Sequence, residues 1–89
     1  MSDNDDEVED CVSEGLLDGI FAGFRNYDTI FKIQGGGAWR QDEYLFEYHY
    51  LYSPKAKVFR VLNKKDRKET FYIQIEGIKT RVQVKYAYL

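Results

Sequence analysis

His49 is the only histidine in the 89 residues and Cys11 the only cysteine. A thiolate–imidazole pair therefore has one possible composition, and nothing in the spacing brings its members together. A single thiol closes no internal disulfide and builds no metal cage. Glu43, Glu47 and His49 are of the types that hold a divalent ion, and in an extended segment they share one side. At ~3.3 Å per residue they are too spread along a strand to converge, so no metal site is assigned. Gly35-Gly36-Gly37-Ala38-Trp39-Arg40 lacks the lysine–hydroxyl ending of a phosphate loop, and the chain has no Gly-x-Ser-x-Gly elbow. The expectation is a protein with no catalytic residues and no cofactor.

Binding side chains are plentiful. Aromatics make up 17% of the chain, and Tyr44, Phe46, Tyr48, Tyr50 and Tyr52 stand at alternate positions. In a strand they share one face, with Glu43, Leu45, Glu47, His49 and Leu51 on the other. A small core offers few partners to four tyrosine hydroxyls. The row is therefore expected to divide, with Phe46 and Tyr48 buried and Tyr44, Tyr50 and Tyr52 partly exposed. The face with two acids and a histidine is expected to be mostly solvated. Exposed tyrosines suit a protein interface, and aromatics among basic residues suit unpaired bases. Trp39 and Arg40 are anchor types for interfaces, unless they follow a loop into the core. Lys64, Lys65, Arg67 and Lys68 gather in one polar connection, as a phosphate-binding set or as a solvated hairpin tip. The glycine–aromatic signature of RNA-recognition domains is missing.

Charge and periodicity indicate what must position these residues. Residues 1–18 contain eight acids and no Lys or Arg. All 13 basic residues lie at or after Arg25, against seven acids, so residues 19–89 carry +6 within a chain of net charge −2. This reads as an acidic arm on a basic body, flexible over 1–6, either solubilising or set against a basic surface. Over 7–25, Val8, Val12, Leu16 and Ile20 recur at spacing four, with Leu17, Phe21 and Phe24 alongside, which predicts an amphipathic helix. Gly15, Gly19 and Gly23 would line that helix as a close-packing contact.

Beyond Asn26 the period becomes two and predicts strands at about 29–34, 39–52, 57–62, 70–76 and 81–88. Their short links imply antiparallel pairing. No run approaches the ~20 apolar residues of a membrane helix, and no secretory signal is visible, so a cytoplasmic location is expected. The expected fold is α+β: one domain over 7–89, with an N-terminal helix on a strongly bent, partly open barrel-like antiparallel sheet of about five strands. The expected function is a non-enzymatic protein-interaction module that self-associates as a homo-oligomer. Its interface residues would be Trp39, Arg40, Tyr44, Tyr50, Tyr52, Gly15, Gly19 and Gly23. The alternative is single-stranded nucleic-acid binding by the sheet aromatics with Lys64, Lys65, Arg67 and Lys68, under autoinhibition by the acidic arm.

Overall fold

A computed structural model describes residues 6–88. Eight strands follow one another: β1 (Glu7–Leu16), β2 (Ile20–Phe24), β3 (Ile30–Ile33), β4 (Gly37–Gln41), β5 (Glu47–Tyr52), β6 (Lys55–Asn63), β7 (Glu69–Ile75) and β8 (Arg81–Tyr86). There is no α-helix among the described residues, so the α+β expectation is wrong and the fold is nearly all β. Of the tail expected over 1–6, only Asp6 falls within the described residues.

The helix expected over 7–25 fails for a physical reason. Spacing four is a multiple of two, so residues at i, i+4 and i+8 also share one face of a strand. Val12, Leu16 and Ile20 are exposed, whereas Leu17, Phe21 and Phe24 enter the core. Three glycines would each cost a helix ~1 kcal/mol relative to alanine. The extended form uses them instead. Gly19 (φ +81°) bends the chain between β1 and β2, and Gly23 (φ +113°) sits at a bulge against β5. A side chain on Gly15 would meet the Gln34 carbonyl oxygen at 2.6 Å, so this residue lets β1 pass close to the β3–β4 turn. The three form no shared packing stripe.

β1 and β2 are two parts of one bent strand, and β5 and β6 two parts of its partner. Their antiparallel ladder runs from Glu7↔Asn63 to Leu16↔Lys55 and resumes from Ile20↔Tyr52 to Phe24↔Glu47. At the bend, Leu17 N–H donates to the Pro54 carbonyl (2.8 Å) and Ser53 N–H to the Gly19 carbonyl (2.7 Å). The remaining strands complete a sheet in the order β1-β6-β7-β8-β4-β3. Its two edges meet where Leu17 bridges Ile33. There Gln34 N–H donates to the Leu16 carbonyl (2.8 Å) and Asp18 N–H to the Lys32 carbonyl (2.9 Å). The Ser13 hydroxyl adds a 2.6 Å bond to the Gly36 carbonyl at the same seam.

The barrel thus joins two three-stranded meanders through the Asp42–Phe46 linker. The first strand of one pairs with the first of the other, and last with last through β4 and β8. Phe24, Val58, Ile73, Ile75, Val82 and Val84 are at most 2% exposed and centre the core. Beyond Leu17, β2 parts from β3 to follow β5, leaving a cleft of about 440 Å³ between them.

Candidate functional site: an aromatic ribbon face

One fully buried polar side chain sets the course of the chain into β5. Gln41 at the end of β4 accepts Arg25 N–H at its Oε1 (3.1 Å). Its Nε2 donates to the carbonyls of Glu43 (3.0 Å) and Leu45 (2.9 Å). The Glu43 carboxylate accepts Gln83 N–H (2.6 Å). The linker is therefore held by side-chain-to-backbone bonds that no hydrophobic pattern announces. A polar residue ending an alternating run was the only hint in the sequence.

Past the linker, the faces are the reverse of those expected. Tyr44, Phe46, Tyr48, Tyr50 and Tyr52 are all exposed, by 67% to 80%. Phe46 and Tyr48, expected in the core, stand outside it with the rest. Leu45 and Leu51, from the face expected to be solvated, pack against the core instead. The His49 ring lies parallel to Phe21 (6.1 Å between centroids) and edge-on to Phe24 (6.2 Å). Two residues of β2 sit on the open face beside the tyrosines: Ile20, exposed and opposite Tyr52, and the smaller Ala22. The outer surface of the β2–β5 ribbon carries no charged side chain.

Behind it, Glu47 bridges two partners. Its Oε1 lies 2.7 Å from His49 Nε2, and its Oε2 accepts the Thr80 hydroxyl at 2.8 Å. An ionised carboxylate only accepts, so Nε2 carries the proton. The His49 bond, then the Thr80 bond, hold the Glu47 carboxyl below its ordinary range. Hydroxyl and imidazole bond the same carboxylate rather than each other, so the imidazole is not placed to activate Thr80 as a nucleophile. Glu43, Glu47 and His49 do not converge. Among the described residues no group of three His, Cys, Asp or Glu could hold a metal.

The other predicted residues lie elsewhere. Trp39 is in the core, donating its indole N–H to the Gly36 carbonyl (3.1 Å) and packing on Phe71 and Tyr86. Arg40 is half-buried on β4, between Ile30 and Lys85. Lys64, Lys65, Arg67 and Lys68 form the exposed β6–β7 turn, where Asn63 and Asp66 side chains accept backbone N–H groups. β6 carries that turn ~27 Å from Tyr52, at the usual rise per residue.

The acidic run is not a free arm from Glu7 onward, because it is β1. Glu9 meets Arg81 (2.9 Å), Asp10 meets Arg60 (3.0 Å), Glu14 meets Lys55 and Asp6 meets Lys65 (both 3.2 Å). Arg81 also lies over the ring of Phe59 (4.7 Å). No helix of the described residues is long and apolar enough to cross a membrane. No family model matches this chain, and neither a curated protein nor a solved structure does.

Proposed function

We propose that this protein is a non-enzymatic protein-interaction module that self-associates and docks through the aromatic face of the β2–β5 ribbon. One observation carries the reading: five neighbouring aromatics, ordered by a buried glutamine and a paired strand, are left uncovered and free of charge. Large uncovered apolar patches on soluble domains accompany interaction sites, and tyrosine is enriched in interface cores. Single-stranded nucleic acid receives less support. Its aromatic platform exists, but the lysine-rich turn lies at the far end of β6, and Arg60 and Arg81 are already bonded to Asp10, Glu69 and Glu9.

Light scattering after gel filtration tests self-association. The mass is expected to rise over a hundredfold concentration range, and a strict monomer throughout removes that part of the reading. A labelled mixed oligonucleotide is expected not to bind at physiological salt. Micromolar binding lost on Tyr50→Ser would instead favour the nucleic-acid alternative.

A further inference from the structure

The β2–β5 face is not flat. Tyr48, Tyr50 and Tyr52 stand up from β5 as a ridge, with Phe46 just ahead of it. Beside them β2 offers the small, half-buried Ala22, with Ile20 as the bank at one end and the buried Gly23 closing the other. The bulge between Phe21 and Gly23 brings Gly23 directly opposite Tyr48, close enough that a side chain on Gly23 would collide with the Glu47 carbonyl oxygen. Ridge and furrow therefore run side by side along one antiparallel pair.

A surface carrying a ridge next to a furrow can meet its own twofold copy ridge to furrow, which is what an isologous dimer requires. We infer that a second copy of this chain seats its tyrosine ridge in the furrow over Ala22, and the first copy's ridge in the partner's furrow. The two ribbons then form a four-stranded sandwich about a twofold axis that runs between β2 and β5. This rests on the aromatic face being the docking surface.

Two further observations favour a second copy over a different protein. The first is area. Large aromatics bury 150–250 Å² each, so Phe46, Tyr48, Tyr50 and Tyr52 at their observed exposure, with Ile20, offer ~600–700 Å². That is close to the ~800 Å² each partner contributes to a standard interface. The second is charge. The face has no formal charge, so a twofold copy meets no like-charge opposition and a charged partner finds nothing to pair with.

The test is sedimentation equilibrium of the full chain in reductant, which keeps the exposed Cys11 thiol from cross-linking. Wild type is compared with Tyr50→Ser, Ala22→Arg and Ile20→Ser, each checked for an unchanged thermal midpoint as a monomer. All three side chains point away from the core, so the fold should survive. Tyr50→Ser and Ala22→Arg are each expected to weaken the dimer on the order of 100-fold, and Ile20→Ser less. A dimer lost with Tyr50→Ser but untouched by Ala22→Arg overturns the ridge-in-furrow geometry while leaving the aromatic face as the docking surface. A dimer indifferent to all three overturns both. A wild-type monomer overturns the second copy alone. The docking face is then judged by anilinonaphthalene sulfonate fluorescence, whose insensitivity to Tyr50→Ser would remove it too.

Discussion

Gly19 and Gly23 separate two demands that spacing alone made look alike. Both have positive φ, but nothing lies within 4 Å of where a Gly19 side chain would go. At Gly23 the same atom would meet backbone of β5: the Glu47 carbonyl, and the Tyr48 Cα at 3.0 Å. Gly19→Ala should therefore cost only the left-handed torsion, ~1–2 kcal/mol. Gly23→Ala adds a collision with main chain that cannot rotate away, and should cost clearly more than Gly19→Ala. Urea unfolding of both variants checks the order, and equal losses would mean that the bulge yields freely. Nothing in the sequence told these residues apart. A glycine records that a side chain is unwelcome, but not whether torsion or a neighbouring backbone forbids it.

Among the elements, β1 shows how far periodicity reaches. Its apolar positions fit helix and strand alike, and the deciding partner, β6, lies about fifty residues away. Its acids are used across the ladder, with Asp10 directly opposite Arg60 and Glu9 bonded twice by Arg81. The Arg81 hydrogen bond, with its charge, holds the Glu9 carboxyl below its ordinary range. A carboxyl lowered in the folded state stabilises it at pH above the ordinary carboxylate value. That contribution disappears as pH falls through the lowered value. Glu9→Gln should accordingly reduce stability near neutrality and flatten the acid limb of a midpoint-against-pH curve. Glu9 is more than a third exposed, so the difference should be at most ~1 kcal/mol and should shrink in high salt. An acid limb as steep as wild type would mean that Glu9 contributes nothing to it.

For the whole molecule, the alternating runs at Phe71–Ile75 and Val82–Val84 were legible as strands because one face of each is core and the other is not. Their antiparallel pairing was legible from their short connections. The closure of the sheet was not, since alternation assigns faces but never names partners. The same gap inverted the aromatic row. The sequence marks two faces of residues 43–52, and which one turns inward depends on what β2 brings from twenty-five residues earlier. Phe21 and Phe24 supply an apolar bed for His49 and Leu51, and that leaves the tyrosines outside.

The ladder between β1 and β6 also sets a timetable. During synthesis at ~5–20 residues per second, β1 waits several seconds before Asn63, the partner of Glu7, has been made. Until then the Glu7 end of β1 has no ladder partner, and the apolar Val8 and Val12 lie beside it. Its acids, of which Glu9, Asp10 and Glu14 end in ion pairs, would first serve as mutual repulsion that keeps waiting chains apart. By contrast, β6, β7 and β8 follow one another through short turns and can pair as soon as they emerge. Pulsed hydrogen exchange during refolding should accordingly protect β7 and β8 amides before those of β1. Replacing Glu7, Glu9 and Asp10 together by threonine should raise light scattering during refolding at micromolar concentration well beyond what the lost ion pairs cost the native state. Early protection of β1 would show that it does not wait, and clear refolding of the triple variant would show that the waiting strand needs no such guard.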